Sequence, residues 1–560
     1  MDLTESGQLI LAERYLLNGE RPENMFERVA ITVAAAEESF QTDIDKKIVI
    51  EKFTQMMENL EFLPNTPTLI NAGKPNGQLA ACFVLPLEDN IDKIFETLHH
   101  TALIHTYGGG TGFSFATIQP KSWPKNQEAY SLNICSILEL FELATKLINQ
   151  GGIRPGANMG ILPINHPDIF DFVKYKSTVN SRLSSFNLSV SVTDEFMEKA
   201  IKNEKYQLEY SGKKGKLVSA NELLFLIAQE AWASGEPGLI YADEINRANP
   251  TPEFGRIIAT NPCGEQPLLP YEACNLGSIN LVKIVANGKI NWLKLQELVY
   301  WAVRFLDNVI EVNRLPLKES EEIVALNRKI GLGVMGFATM LQILNIPYNS
   351  DAAVKLGTDI MRFIQKHAHE ASHSLAKERG SFPAINSSIL KNEIRRNATC
   401  TTIAPTGSIS SIAGVSSGIE PNFSLIYQRN ILNKTVIEIN RVFLKMIREA
   451  YPSHMAEEII AYLMKFGKIT DAPHLTKEKA APYVTALEID PAWHLKVQAA
   501  FQTYCDNAVA KTINLPENTK VEQIFDIFTM AYKLKCKGIT VYRINSREKN
   551  ALDFINCPIC

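Results

Sequence analysis

Thr260-Asn261-Pro262-Cys263-Gly264-Glu265-Gln266-Pro267-Leu268-Leu269-Pro270 is the stretch on which the reading of this chain turns. Pro and Gly interrupt it so often that neither a helix nor a central strand can run through, and it reads as a loop. An amide, a thiol and a carboxylate stand at alternate positions: Asn261, Cys263 and Glu265. A second thiol follows in Ala273-Cys274-Asn275-Leu276-Gly277-Ser278-Ile279-Asn280-Leu281. Two readings stand side by side: an active-site loop, and a turn built around an inert buried cysteine.

Outward from the loop, the totals narrow the choices. At 560 residues the chain exceeds one ordinary domain, so a large core domain with accessory regions is expected. A hydrophobic share of 46% with 21% charged residues suits a globular protein. A formal net charge of −4 argues against generic electrostatic binding of nucleic acid. No uninterrupted apolar run is long enough to span a bilayer, so no membrane partner is expected. The start, Met1-Asp2-Leu3-Thr4-Glu5-Ser6, lacks the basic region and apolar core of a secretory signal, and a cytoplasmic location is expected. In that setting the 9 cysteines read as reduced thiols rather than as a disulfide framework.

Apolar spacing predicts helices through residues 1–60, taken as a helical N-terminal region ending at the Pro-rich Leu63-Pro64-Asn65-Thr66-Pro67. Ala80–Leu87 reads as a short buried strand containing Cys82, followed by a helix from Ile91 to Thr106. Leu138–Ile148, Ala220–Ala233 and Trp292–Asn313 read as helices; Asn187–Val192, Ile330–Gly336 and Cys536–Tyr542 read as strands. Long helices between short buried strands predict an α/β fold with a mainly parallel sheet, over residues 61–545. Residues 546–560 read as a mobile C-terminal tail.

Four further patterns carry chemistry. Gly108-Gly109-Gly110-Thr111-Gly112 suits either a phosphate cradle or a tight turn, and lacks the Lys-Ser or Lys-Thr of a P-loop. Ala404-Pro405-Thr406-Gly407-Ser408-Ile409-Ser410-Ser411 puts hydroxyls and a glycine at a helix start, as a phosphate site or an ordinary cap. His369-Glu370-Ala371-Ser372-His373 matches a zinc-peptidase pattern, but a three-position match is easily met by chance, and no metal is assigned. Cys557-Pro558-Ile559-Cys560 reads as a redox dithiol or as half of a zinc knuckle. No second Cys-x-x-Cys completes the knuckle.

Taken together and in this order, these pieces resemble a ribonucleotide reductase large chain, most closely the class II, adenosylcobalamin-dependent dimeric type. The resemblance runs from Arg14-Tyr15-Leu16 to Tyr542-Arg543. It rests on Pro64–Leu69, Gly108–Phe115, Gly156–Gly160, Asn261–Leu281, Arg304–Asn308, Thr401–Ser411 and Lys537–Arg543. It implies a ten-stranded α/β barrel of two five-stranded parallel halves around a central finger loop. It implies that Cys263 becomes a thiyl radical, that Glu265 is the base on the 3′-hydroxyl, and that Asn261 hydrogen-bonds the substrate. Cys82 and Cys274 would supply two electrons and close to a disulfide, which requires the fold to bring them within disulfide reach. Thr66, Ala81, Gly112, Thr406, Gly407, Ser408, Ile409 and Ser410 would bind the substrate. Cys557 and Cys560 would re-reduce the internal disulfide by thiol exchange, recharged by a thioredoxin-like or glutaredoxin-like reductant.

The radical source follows by comparison within the family. Class I chains carry two adjacent tyrosines near the end, whereas Ile539-Thr540-Val541-Tyr542-Arg543 has one; the class III glycyl site is missing after Gly538. Both differences point to adenosylcobalamin as the cofactor. The dimeric type implies a homodimer acting on ribonucleoside diphosphates, with triphosphates the other option. Lys121–Tyr130 replaces the family's longer Gly/Ser-rich connection, and Arg154-Pro155-Gly156 replaces Arg-Arg-Gly. Since that connection reads the effector, control by a deoxynucleoside triphosphate or ATP is left open. The competing functions are a reductase chain needing a separate radical-generating subunit, and a degenerate nucleotide-binding homologue without turnover.

Overall fold

The alternation of buried strands and helices closes into a ring. The structure, a computed structural model, describes residues 3–40, 44–121, 132–148, 156–179, 183–431 and 434–546. One half of the ring contains β1 (Cys82–Val84), β2 (Gly110–Ser114), β3 (Asn158–Pro163), β4 (Phe186–Val192) and β5 (Gly238–Tyr241), each parallel to the next. The other contains β6 (Ala273–Asn280), β7 (Ile330–Met335), the segment at Thr401 and Ile403, β8 (Thr512–Leu515) and β9 (Gly538–Arg543). β6 and β7 run parallel, as do β8 and β9. Parallel bridges Leu332–Thr401 and Ile403–Val509 carry the ring across the gap between them. The two halves meet antiparallel at both seams, β6 on β1 and β9 on β5. This is the ten-segment barrel of two parallel halves that the resemblance implies.

The strand sequences suit this closure. Every residue of β6 and β7 is buried, as expected where helices cover one face and the barrel interior the other. Several helices start at side chains that accept their orphan N–H groups. Thr4 caps α1 (Glu5–Arg14), Asp45 caps α3 (Lys46–Glu58), and Asn291 caps the helix Trp292–Val312. Between the first two lies α2 (Pro22–Ala34), with Pro at its first position, where no N–H is needed.

These N-terminal helices share one core with the barrel: Phe26 and Phe53 pack in the same cluster as Leu298, Phe305 and Met361. The Phe53 and Phe305 rings meet edge-on with centroids 4.9 Å apart. A second core fills the outside of the first half-barrel around Phe113, Phe141, Phe186 and Phe528. A third, smaller one lies inside the barrel and joins Met159, Ile161, Leu268 and Leu276 to Cys82 and Cys274. Among the described residues no helix is long and apolar enough to cross a membrane.

Candidate active site

The finger loop is held from below by a two-pair ladder, Thr260 with Pro267 and Ala259 with Leu268. Above it, Asn261 clasps the tip: its N–H donates to the Gln266 carbonyl (3.1 Å) and its Oδ1 accepts the Gln266 N–H (3.0 Å). The Gly264 N–H closes a turn on the Asn261 carbonyl, and Gly264 takes φ +84°, a conformation that suits glycine. The root is tied to the second half-barrel, where the Glu265 carbonyl accepts the Ala508 N–H and the Thr402 hydroxyl. Cys263 is left exposed at the tip, while Asn261 and Glu265 are buried.

The glycine cluster makes room for this loop. A Cβ on Gly112 would lie 1.7 Å from the Thr260 carbonyl oxygen, and one on Gly110 would lie 2.8 Å from the Pro262 ring. Close packing, which is neither the phosphate cradle nor the tight turn expected of Gly108–Gly112, therefore accounts for both of these positions on β2. Gly112 backs the loop and does not line the cavity in front of it.

That cavity, about 300 Å³, gathers residues from eight separate stretches of the chain. It is lined by Thr66, Ala81, Cys82, Asn261, Cys263 and Glu265, and by Thr406, Gly407, Ser408 and Ile409 from the start of the helix Gly407–Ala413. The first-turn N–H groups of a helix lack partners within it, so polar hydrogens are available here beside hydroxyls. Ser410 lies one step further along, its hydroxyl on the Gly407 carbonyl (3.4 Å), outside the lining. Thr406 is fixed in turn by the Gly418 N–H on its hydroxyl (2.7 Å).

Cys82 and Cys274 are direct cross-strand partners at the antiparallel seam between β1 and β6. Such partners have Cα atoms about 4.5–5.5 Å apart, inside the range a disulfide needs. The Asn261 amide donates to Cys82 Sγ (3.1 Å), and Cys82 Sγ donates in a longer contact to Glu265 Oε1 (3.9 Å). Cys82 lines the cavity and Cys274 lies behind it, its thiol directed to the Lys329 and Asn275 carbonyls (3.6 and 3.5 Å). Burial pushes the Cys274 thiol far above its usual range, and the Lys329 charge offsets only part of that.

A second cavity of about 410 Å³ opens on the other side of the tip, and Cys263 lines both. Its polar lining includes Asn187, Ser189, Glu236, Glu420, Lys511 and Asn514. Lys511 is buried and donates to Glu420 Oε2 (2.5 Å) and meets His494 Nδ1 (3.1 Å). Burial lowers the Lys511 pKa despite that carboxylate.

Several lining residues escaped the sequence reading. Tyr15, whose hydroxyl meets Thr66 Oγ1 at 2.9 Å, and Asn65 and Ser278 are among them. All three lie in or beside stretches that carry the family resemblance, which was the available signal. The second cavity takes Gly538–Tyr542 from a stretch that carries the resemblance, whereas Asn187, Glu236, Lys511 and Asn514 come from segments without a local signature. The His-Glu-x-x-His pair does not converge: His369 Nε2 meets both Asp506 carboxylate oxygens at 3.0 Å, and His373 Nδ1 meets the Ile394 carbonyl. Cys557 and Cys560 lie outside the described residues.

Comparisons with known proteins agree with this geometry. A family model described as "Ribonucleotide reductase, barrel domain" matches residues 80–395 and 389–542, and one described as "Ribonucleotide reductase, all-alpha domain" matches residues 1–77. A Mycobacterium tuberculosis protein named "Vitamin B12-dependent ribonucleoside-diphosphate reductase" is 45% identical over 99% of this chain and 80% of its own length. A Thermoplasma acidophilum protein of the same name is 48% identical over 90% of this chain and 66% of its own length. The Actinobacillus ureae class Id ribonucleotide reductase alpha subunit superposes with a TM-score of 0.79, covering 97% of each chain, at 24% identity, a likeness of fold.

Proposed function

The chain belongs to the ribonucleotide reductase large-chain family, and from that premise we propose that it reduces ribonucleoside diphosphates to 2′-deoxyribonucleotides with a radical derived from adenosylcobalamin. The observation that carries this reading is the position of Cys263, on a loop tip between two cavities. One cavity has the polar first turn of a helix for phosphates and a thiol pair for electrons. The other offers donors and acceptors of both signs at Asn187, Glu236, Lys511 and Asn514, a set that fits the polar edges of an adenosyl group. These residues would hold adenosylcobalamin, which supplies a carbon-centred radical by breaking its cobalt–carbon bond.

In the proposed reaction, Cys263 as a thiyl takes the hydrogen atom from C3′ of the ribose. Glu265 accepts the 3′-hydroxyl proton as the general base. Asn261 orients both the substrate and Cys82, since its amide already reaches that sulfur. Cys82 gives its proton to the departing 2′-hydroxyl, which leaves as water. The two electrons come from Cys82 and Cys274, which close to a disulfide, and Cys263 returns the hydrogen atom to C3′, regenerating its thiyl. Net, one ribonucleotide and two thiols give one deoxyribonucleotide, one disulfide and one water.

Thr66, Ala81 and Thr406–Ile409 would seat the substrate, with Gly112 and Ser410 acting from behind the lining. Cys557 and Cys560 would return electrons by thiol exchange, with a thioredoxin-like or glutaredoxin-like partner. A homodimer is supported by Leu143 and Leu147, 60% and 76% exposed and one helical turn apart on the helix Ile134–Leu147. Whether a nucleotide effector acts at such an interface turns on residues 122–131, outside the described residues. A cytoplasmic location completes the proposal.

The test is reduction of a ribonucleoside diphosphate with adenosylcobalamin and dithiothreitol and no second protein. Turnover is expected. Nucleotide binding without turnover under those conditions would overturn the proposal, in favour of a chain that needs a radical-generating subunit or has lost the activity.

A further inference from the structure

Behind the thiol pair lies a second pair, fully buried and ionic. Lys329 and Glu272 are 3% and 1% exposed, and Lys329 Nζ donates to Glu272 Oε2 at 2.6 Å. Glu272 also accepts the Leu269 N–H (2.7 Å) and the Asn327 amide (2.5 Å). Neither Lys329 nor Glu272 lines the first cavity. Burying an ion pair often contributes nothing to stability, because desolvation offsets the attraction, so its place behind a thiol calls for another reason.

The sheet register supplies one. Asn275 on β6 is the partner of Ile330 on β7, so Cys274 and Lys329 each stand one residue earlier, side by side at the mouth of the same parallel ladder. Cys274 Sγ touches the Lys329 carbonyl at 3.6 Å. Glu272 stands two residues before Cys274, in the turn just ahead of β6. The charged groups acting on Cys274 are thus Lys329, in its favour as a thiolate, and Glu272 and Glu265 against.

We propose that Lys329 is the electrostatic support of Cys274, stabilising the thiolate that Cys274 becomes each time the Cys82–Cys274 disulfide is re-reduced, with Glu272 moderating its charge. The proposal rests on reading that pair as the internal reductant. A dithiol enters through the cavity, where Cys82 is the accessible sulfur. Its thiolate attacks Cys82 Sγ, the Cys82–Cys274 bond breaks, and the electron pair leaves on Cys274 Sγ. An exchange is faster when its leaving thiol has a lower pKa, and Lys329 provides that in a buried setting. The second thiol of the reductant then displaces Cys82 and closes its own disulfide. Two electrons and two protons pass to Cys82 and Cys274.

The experiment measures re-reduction of the internal disulfide by dithiothreitol in the full chain after a single turnover, at each pH from 6 to 9. Lys329→Met should slow it several-fold, because only part of a change in the leaving thiol's pKa appears in the exchange rate. Glu272→Gln should speed it several-fold, and Lys329→Arg should stay near the parental rate. A purely structural ion pair would respond alike to loss of either partner, so the opposed signs are the decisive readout. Equal slowing in Lys329→Met and Glu272→Gln, or no change in either, overturns the proposal. Should Lys329→Met not fold, Glu272→Gln at or below the parental rate overturns it alone. If no disulfide forms in the parental protein after turnover, the reading of the thiol pair itself fails, which is a different result.

Discussion

Against the helix Trp292–Val312, four arginines and four acids are locked to one another; at the finger loop a thiol, an amide and a carboxylate line open space. In the first cluster Arg304 is forked onto Glu37 and Glu378, Arg328 onto Asp307 and Glu311, Arg379 onto Glu37 and Asp307, and Arg396 onto Asp307 and Glu311. Asn308 and Asn397 supply further donors, and the Arg379 guanidinium lies 4.4 Å from the Phe40 ring centre. Both clusters are polar and largely buried. The difference is that the first spends its capacity within the protein, joining the 35–39 turn to four other segments, while the second turns reactive atoms toward cavities.

Cys263→Ser is the sharpest way to test that division. Activity should fall to background, because a serine hydroxyl cannot become the one-electron hydrogen abstractor, while the melting temperature stays at the parental value. A coupled fall in stability would mean that the tip also holds the barrel together. Glu265→Gln comes next: loss of a general base typically costs about 10²–10⁴-fold in rate. Steady-state assays should show that loss in kcat with the urea midpoint little changed.

The saturated cluster should respond in the opposite manner. Asp307→Ala strips three arginines of a common partner, and breaking one side of a buried ionic group costs about 3–5 kcal/mol. The urea midpoint should drop accordingly, while the surviving folded fraction keeps the parental KM. A change in KM with unaltered stability would erase the contrast between the two regions.

How much of this the sequence revealed follows the same contrast. The loop, the helix starts and most strands were legible because each is local: Pro and Gly at 262–267 forbid regular structure, and caps precede apolar periods. The thiol pair was legible only through resemblance, since nothing in the spacing of Cys82 and Cys274 announces adjacent strands. The ring closure at Leu332–Thr401 and Ile403–Val509 rests on single bridges, too short to leave a strand pattern. Arg304-Phe305-Leu306-Asp307-Asn308 stood out as a family piece, yet Glu37, the partner of Arg304, is 267 residues away and no local pattern singles it out. His369 and His373 share a helix face, as their spacing requires, but Asp506 decides what the first one binds. Partners of buried charges are set by tertiary packing, which periodicity does not encode.

The mildest prediction uses acid in place of mutation to loosen the saturated cluster. Burial alone would raise the Asp307 pKa, but Arg328, Arg396 and Arg379 together hold it down to about 2. A carboxyl whose pKa is depressed on folding contributes stability that is complete above its unfolded value, about 3.8, and fades as pH falls toward 2. The gap corresponds to about 2 kcal/mol for this one group. Asp307→Asn removes the titration and keeps the shape. The difference in unfolding free energy between the parental protein and Asp307→Asn should therefore be constant above pH 5 and shrink by that amount as pH falls to 2, as followed by urea unfolding across the series. A difference that stays flat through that window would mean that the arginines do not depend on the charge of Asp307, and the cluster would then be held by hydrogen-bond geometry alone.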